Sequence, residues 1–170
     1  MNQGSMLLKI GPVARIRRNH ALEHATLQVL KQKFPALQAA GYSDTMGFWI
    51  AGQVSTQDLQ QAVDEAYARL VNGEHNLAIH PNCGTNFAVS GLLAGLAAWL
   101  GMLGTNDSRS RVNRLPLVVS LVTMVLIFSQ PLGPKVQQFT TDPIPAQLKV
   151  TAIYYNEKPG MPLHRVVTRQ

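Results

Sequence analysis

Apolar residues recur at helical spacing in two segments of the first half of the chain. The first segment runs from Pro12 to Phe34, starts with a proline that suits the first turn of a helix, and stops at Pro35. The second follows Ser55, which opens a Ser-Thr-Gln-Asp sequence typical of a helix N-cap, and ends at Asn72-Gly73. The pattern therefore predicts two amphipathic helices.

Strand-forming residues occur in two pairs of segments. Residues 37–54 contain strand formers on either side of turn residues, which indicates a β-hairpin. Leu148–Tyr155 and His164–Thr168 flank Lys158-Pro-Gly160 and predict a second hairpin, and a short strand is also expected at Asn76–Ile79. Two helices and two hairpins together predict a small mixed domain of the α+β class.

Two long uncharged segments follow the second predicted helix. Phe87–Leu103 and Leu115–Leu132 contain no Asp, Glu, Lys or Arg, and each approaches the roughly 20 residues that a helix needs to cross a bilayer. The polar segment Thr105–Arg114 would then be the short loop of a transmembrane hairpin, whereas the alternative is a pair of buried helices in a soluble core. A small-residue face on the first helix is expected to pack closely on the second, at Gly91, Gly95 and Ala98.

These segments divide the chain into three predicted parts. They are an α+β domain at residues 1–84, a transmembrane helical hairpin at 85–134, and a C-terminal β-hairpin at 135–170 that packs on the first domain. We expect an integral protein with two spans in the bacterial cytoplasmic membrane. Its main domain is expected in the cytoplasm, since about 80 residues precede the first span and residues 1–10 lack the features of an export signal. Arg109, Arg111 and Arg114 would favour a cytoplasmic loop instead.

Composition narrows the choice of partners. The chain carries a formal net charge of +6, yet only 14% of its residues are charged, and no basic run is interleaved with aromatic residues. Nucleic acid is therefore not expected as a partner. The charge suits anionic lipid, so membrane lipid is the predicted partner, with a larger membrane complex as a further possibility.

The first predicted helix carries a candidate metal site. His20 and His24 lie four residues apart with Glu23 between them. At about 100° per residue all three point the same way as the apolar Val13, Ile16 and Leu27, and Thr26 falls on the opposite, polar side. An apolar interior penalises polar groups that lack hydrogen bonds or a metal. HxxEH is also the inverted zincin motif, in which two histidines bind zinc and the carboxylate is the general base. The alternative has no metal, with the histidines hydrogen-bonded to Glu23 and to the backbone.

The only cysteine of the chain lies in a second motif, His80-Pro-Asn-Cys83. This spacing lets a tight turn bring an imidazole and a thiolate to one ion. With His20, His24, His80 and Cys83 all bound, a zinc site would be closed and structural. With three protein ligands, it would keep a reactive position beside Glu23.

Other titratable side chains are expected to be solvated rather than part of this site. Arg15, Arg17 and Arg18 are placed on a solvated face of the first helix, with anionic headgroups as the alternative partner. His75 and His164 are expected at surface or turn positions.

The two motifs together resemble an uncharacterised bacterial family of membrane proteins. Arg18-Asn-His-Ala-Leu-Glu-His-Ala-Thr26 and His80-Pro-Asn-Cys-Gly-Thr-Asn86, the second leading into an apolar run, look like a domain-of-unknown-function family of about this length. They are also similar to the motifs of YqhQ-type membrane proteins, predicted metal-dependent enzymes in which an HxxEH helix precedes an HPxCGT stretch. The resemblance implies a metal site and no established reaction.

Two functions follow from this sequence. The first is a membrane-bound zinc hydrolase that acts on a peptide or a lipid-linked substrate, with Glu23 as its base. The second is a non-enzymatic membrane subunit or assembly factor in which a structural zinc ion fastens the small domain to its membrane helix. A Glu23→Gln substitution separates them, because only the hydrolase would lose its function while keeping its metal.

Overall fold

The computed structural model describes residues 11–144, 148–158 and 161–169. These residues form, in chain order, α1 (Gly11–Lys33), β1 (Ala39–Asp44), β2 (Gly47–Gly52), α2 (Thr56–Val71), a 3₁₀ helix (His75–Ala78), α3 (Gly84–Met102), α4 (Ser108–Ser129), α5 (Leu132–Thr140), β3 (Lys149–Lys158) and β4 (Met161–Arg169). The predicted α+β class is confirmed. The expectations for residues 1–10 and for the turn at residues 159–160 lie outside the described residues.

The four strands form one antiparallel sheet in the order β1-β2-β4-β3. Both predicted hairpins are present, and their inner strands join them, so that Ile50 of β2 pairs with His164 of β4. The register of β3 shifts between Val150 and Ala152. One face of the sheet packs on helices, and Phe48, Ile50 and Val166 from that face are fully buried.

Helices α1 and α2 complete this core. Buried residues of α2 recur at helical spacing and pack with those of α1 and the sheet: Leu59, Ala62, Val63, Ala66 and Leu70. The hydroxyl of Ser55 accepts a hydrogen bond from the amide of Asp58, which confirms the predicted N-cap. Gly73 has φ +94°, the left-handed conformation expected where α2 ends.

The apolar side predicted for α1 is wrong in part. Val13 and Ile16 are 46% and 38% exposed, whereas Thr26, placed on the polar side, is fully buried and donates a hydrogen bond to the carbonyl of Leu22. The reason is that β1, β2, α2 and the 3₁₀ helix all contact α1. A helix covered from several directions does not keep one buried stripe.

Contacts divide the chain into two compact units. One contains the described residues up to His80 and those from Gln138 onward, and the other contains Pro81–Gln137. Helices α3 and α4 pack against each other in the second unit, where Ser129 donates a hydrogen bond to Ser90 at 2.9 Å. Arg114 donates to the carbonyls of Gly101 and Leu103 at the end of α3, which satisfies backbone acceptors that the helix leaves unpaired.

The helices of this second unit are long and apolar enough to cross a membrane. In α3 and α4, only 6% and 11% of the most apolar 18-residue window is buried. The predicted loop Thr105–Arg114 is too long, because α4 already begins at Ser108. Asp107 caps it there by accepting a hydrogen bond from the amide of Ser110 at 2.8 Å.

The small-residue face predicted on α3 is wrong at Gly91 and Gly95. A β-carbon added at Gly91 or Gly95 would have no other atom within 4 Å, so neither glycine meets α4. The close approach lies at Gly101, where an added β-carbon would come within 2.8 Å of the Val118 side chain. Gly101 and Ser90 share the packed face of α3, and Gly91 and Gly95 lie on its open face.

Two short helices, the 3₁₀ helix and α5, differ from the predictions made from the sequence. The strand expected at Asn76–Ile79 is wrong, because His75–Ala78 forms a 3₁₀ helix in which the amide of Leu77 donates to the carbonyl of Glu74. Helix α5 was not predicted. Its Pro134 lies in the first turn, where a helix does not need the amide hydrogen that proline lacks.

Candidate metal centre

Helix α1 carries two neighbouring rows of polar side chains in its buried half. One row contains His20 and His24, and the other contains Asn19 and Glu23. Each pair is spaced i, i+4, so its members lie on one face one turn apart. The two rows make different contacts and have different consequences for the chemistry.

A backbone carbonyl fixes the tautomer of His24. Its Nδ1 lies 2.7 Å from the carbonyl oxygen of Ala78 in the 3₁₀ helix, and the residue is only 1% exposed. A carbonyl oxygen can only accept a hydrogen bond, so Nδ1 must carry the hydrogen. The lone pair of the neutral ring is therefore on Nε2, which is a form suited to binding a metal.

His20 is held in the same way. Its Nδ1 lies 3.2 Å from the carbonyl oxygen of Thr140, at the end of α5, which again leaves the lone pair on Nε2. The centroids of the two imidazole rings are 4.1 Å apart. Histidines that bind metals almost always donate their other ring N–H to a carbonyl, a carboxylate or water, as these two do to carbonyls.

Cys83 supplies the third member of the group. His20, His24 and Cys83 each offer one ligand atom, and these three atoms lie within 4.8 Å of one another. This His/His/Cys group could hold a metal ion.

Cys83 lies at the N-terminal end of α3. It is the N-cap of α3, and its Sγ accepts a hydrogen bond from the amide of Thr85 at 3.4 Å. A helix N-terminus stabilises negative charge, and the thiolate is the ligand form of cysteine. Cys83 is free of disulfide bonds and only 6% exposed.

His80 is the fourth predicted ligand. Its ring centroid lies 5.6 Å from that of His24, and the residue is half-buried. It is not one of the three residues whose ligand atoms converge. Binding of the metal by His80 stays a prediction.

Glu23 faces the first strand. Its carboxylate accepts a hydrogen bond of 2.6 Å from the Ser43 hydroxyl, and the residue is 4% exposed. A β-carbon added at Gly41 would lie 2.6 Å from Cδ of Glu23, so the side chain rests on the backbone of β1. Glu23 is not part of the converging group, and its role as a general base stays a prediction.

Asn19 is a residue that the motif analysis did not single out. Its Nδ2 donates to the carbonyl of Asp44 at 2.8 Å, and its Oδ1 accepts from the Thr168 hydroxyl at 2.7 Å. Asn19 is fully buried. Its spacing of four residues from Glu23 indicates that both side chains lie on one face of the helix, and this could have identified it. Together the two side chains attach α1 to β1 and β4.

Two arginines hold the segment that positions His20. Arg17 donates to the carbonyl of Thr141 at 2.8 Å, and Arg18 forms a 3.2 Å ion pair with Asp142. The expected solvated positions of Arg17 and Arg18 are wrong, because both are half-buried in these contacts. Their bonds fix the backbone next to the carbonyl that orients His20.

His164 is not part of this group, and its expected position at the surface or in a turn is wrong. It is fully buried in β4 rather than at the surface, with Nε2 3.1 Å from the Thr56 hydroxyl. Its Nδ1 has no hydrogen-bond partner among the described residues. Burial lowers the pKa of His164, so the ring is neutral at pH 7. His75 is exposed, as expected.

The model of a protein family described as a domain of unknown function, DUF6391, matches residues 15–153. The chain belongs to this family. An uncharacterized protein of Picosynechococcus sp. (strain PCC 7002) is 36% identical over 165 residues, which cover 91% of this chain and 79% of the relative. No solved structure matches the chain. The predicted membership of an uncharacterised family is confirmed, and the similarity to YqhQ-type proteins stays a prediction.

The DUF6391 region includes all residues of the candidate centre. Both motifs, at residues 18–26 and 80–86, lie inside the matched range. This DUF6391 chain therefore combines a group that could hold a metal ion with two helices that could cross a membrane. The family description supplies no reaction, so the role of the group has to be argued from its chemistry.

Proposed function

We propose that this chain is a membrane-anchored zinc protein whose ion is bound by His20, His24 and Cys83. The observation that carries the proposal is the convergence of the three ligand atoms within 4.8 Å. The carbonyls of Ala78 and Thr140 add support, because they fix both histidines in the form that leaves Nε2 available as a ligand.

The donor set favours zinc among the common metals. Two imidazoles and one thiolate are borderline to soft ligands, which suit zinc better than magnesium or calcium. Magnesium and calcium require mainly oxygen ligands, and the converging group offers none.

The exposed apolar surface of α3 and α4 supports the membrane anchor. Phe87, Leu117 and Phe128 are 70%, 55% and 67% exposed, and they are part of two helices without a charged residue over most of their length. Such a surface is costly in water and favourable in lipid. In this proposal both helices cross a bacterial cytoplasmic membrane, membrane lipid surrounds them, and the main domain is cytoplasmic.

The contacts of Glu23 favour a structural role for the ion over a hydrolytic one. A general base has to reach the water that it deprotonates, whereas the Glu23 carboxylate is hydrogen-bonded to Ser43 and lies against Gly41. In the structural role, zinc fastens α1 to the turn that contains Cys83. The protein would then serve as a non-enzymatic membrane subunit or assembly factor.

A zinc hydrolase is the second candidate, and the number of converging ligands favours it. Catalytic zinc sites usually have three protein ligands and keep a fourth position open, whereas structural sites have four. The group contains three residues. In this reading Glu23 turns from Ser43 toward the open position and acts as the base on a peptide or lipid-linked substrate.

Metal content tests the site directly. Zinc and iron are measured by elemental mass spectrometry in the detergent-purified full chain, in His24→Ala and Cys83→Ser, and in His75→Ala as the matched control. We expect about one zinc per chain in the parent and in the control, and loss of most of it in the two ligand variants. Freshly purified protein without metal, prepared in the absence of chelators, would refute the proposal.

Two further variants distinguish the candidate roles. His80→Ala should lower zinc occupancy if His80 completes a closed site, and it should leave occupancy unchanged if the site has three protein ligands. Glu23→Gln should keep zinc in both cases, because glutamine still accepts the Ser43 hydrogen bond. Loss of hydrolysis of peptide or lipid-linked ester substrates in Glu23→Gln would favour the hydrolase.

The anchor has its own test. The full chain, expressed in bacteria, is expected to stay in the membrane pellet after washing with alkaline carbonate and to enter solution only with detergent. Release by carbonate alone would contradict the membrane reading of α3 and α4, while leaving the zinc result unaffected.

A further inference from the structure

A cavity of about 190 Å³ lies beside the turn between β1 and β2, outside the candidate metal centre. The second turn of α1, the turn between β1 and β2, and the end of β4 form its walls. Six residues line it: Arg15, Asn19, Thr45, Met46, Thr168 and Arg169. None of them belongs to the His/His/Cys group.

The charge of the cavity is positive and is not balanced by its own lining. Arg15 and Arg169 are both exposed, and neither forms an ion pair with another residue in the described part of the chain. Their neighbours Arg17 and Arg18 are committed to Thr141 and Asp142. Two arginines therefore line one small cavity that has no carboxylate among its six lining residues.

The carboxylate of Asp44, on the adjoining end of β1, is already engaged. It forms an ion pair of 2.7 Å with Arg165 and accepts the amide of Met46 at 2.7 Å. Burial would raise the pKa of Asp44, but these hydrogen bonds outweigh it and hold the pKa below its usual value. Asp44 is thus an ionised group with a cation of its own, so Arg15 and Arg169 keep their charge for another partner.

The remaining lining also offers hydrogen-bond donors. Asn19 is fully buried, and one hydrogen of its Nδ2 is used by the carbonyl of Asp44, which leaves its second N–H. Thr45 adds an exposed hydroxyl from the turn. Thr168 has already donated its hydrogen to Asn19. An anion surrounded by two guanidinium groups, a hydroxyl and an amide would have donors on several sides.

We propose that this cavity binds the phosphate group of a phosphate monoester or diester. Planar guanidinium groups match phosphate oxygens two at a time, and arginine is favoured wherever such bidentate recognition is needed. The cavity holds a phosphate and the first atoms attached to it, which is the size of a phospholipid headgroup or of free phosphate. The two sources share one chemistry and are separated by experiment.

The proposal does not depend on the proposed metal function. Arg15 and Asn19 lie on the same helix as the histidines, but the cavity can bind an anion whether or not zinc is present. A chain that lacked zinc and bound phosphate would refute the first proposal alone, and the reverse result would refute the second alone.

Calorimetric titration of the detergent-purified full chain tests the site. The probes are inorganic phosphate and dioctanoyl phosphatidylglycerol, a short-chain phospholipid added below its micelle concentration. The variants are Arg15→Gln and Arg169→Gln. Lys31→Gln is the matched control, because it removes one exposed positive charge from the same helix, where Lys31 donates hydrogen bonds to the carbonyls of Pro35 and Leu37.

Each arginine variant is expected to weaken binding of the recognised probe by about 5- to 10-fold, and the control by less than about 2-fold. Binding should also weaken as chloride rises, since the pairs are partly exposed. Binding of phosphate as well as the lipid points to the phosphate group alone, whereas binding of the lipid alone points to a headgroup with its glycerol.

Two results would overturn the proposal. One is the absence of binding of both probes at millimolar concentration. The other is an equal loss in all three variants, which would show that net charge rather than this cavity attracts the anion. Unchanged thermal unfolding of the variants is the check that the exposed substitutions leave the fold intact.

Discussion

The contact between Glu23 and the first strand gives a sharp prediction about stability. Gly41 has no side chain, and an added β-carbon would lie 2.6 Å from Cδ and 2.7 Å from Cγ of Glu23. Real β-carbons do not approach other atoms that closely, so in Gly41→Ala the carboxylate has to move. Glu23 is only 4% exposed and has little room to do so.

The cost has two sources. Overpacking a filled interior costs about 1–3 kcal/mol, and displacement of the carboxylate weakens the hydrogen bond from Ser43, where bonds to charged groups contribute about 1.5–3 kcal/mol. We therefore expect Gly41→Ala to lower the free energy of unfolding by about 2–4 kcal/mol. In a Glu23→Ala background the conflict is removed, and the same substitution should cost less than about 0.5 kcal/mol.

The two tryptophans of the chain allow a local measurement. Trp49 lies on β2 and pairs with Tyr42 of β1, so its fluorescence in a Trp99→Phe background reports on the sheet. Guanidinium unfolding in mild detergent of the four members of the Gly41 and Glu23 cycle gives the coupling energy. Equal costs of Gly41→Ala with and without the Glu23 side chain would refute the placement of Glu23 against β1.

Three further predictions concern other buried contacts. The free energy of unfolding should fall from pH 7.5 to 5.5, because the unfolded chain protonates His164 near its ordinary pKa of about 6.5 while burial keeps the native ring neutral; a His164→Gln variant with the same slope would contradict this. Ser43→Ala should cost about 1–3 kcal/mol in guanidinium unfolding, by leaving the buried Glu23 carboxylate without that donor. Gly101→Ile should destabilise the packing of α3 on α4 in dodecyl sulfate titrations followed by circular dichroism, whereas Gly91→Ile, which faces open space, should have little effect; equal effects would count against the packing.

Local signals in the sequence were enough to predict most of the regular elements. Pro12 and Pro35 bracket α1, Ser55 starts α2, and strand-forming residues on either side of turn residues mark both hairpins. These features depend on a few neighbouring residues, so they do not depend on contacts with distant parts of the chain. Helix α5 was not predicted, although its Pro134 is compatible with a first helical turn.

The orientation of side chains was harder to predict, because it depends on contacts between distant segments. The spacing of His20 and His24 indicated a shared face correctly, yet nothing local showed that Ala78 and Thr140 would supply carbonyls to orient them. Glu23 was grouped with the histidines by motif. In the structure its carboxylate contacts β1, since a helix buried on several sides can direct adjacent residues to different neighbours.

The strand order β1-β2-β4-β3 has a consequence for biosynthesis. The central pair joins Ile50 to His164, more than a hundred residues later in the chain, so β2 is an unprotected edge until the second hairpin has been synthesised. Contacts of such high sequence separation form slowly, and exposed edges invite pairing with other chains. During that interval the apolar helices α3 and α4 also leave the ribosome, because they lie between β2 and β4 in the chain. A nascent chain arrested before β4 should therefore associate with chaperones through β2. Once the second hairpin has left the ribosome and paired with β2, that association should end.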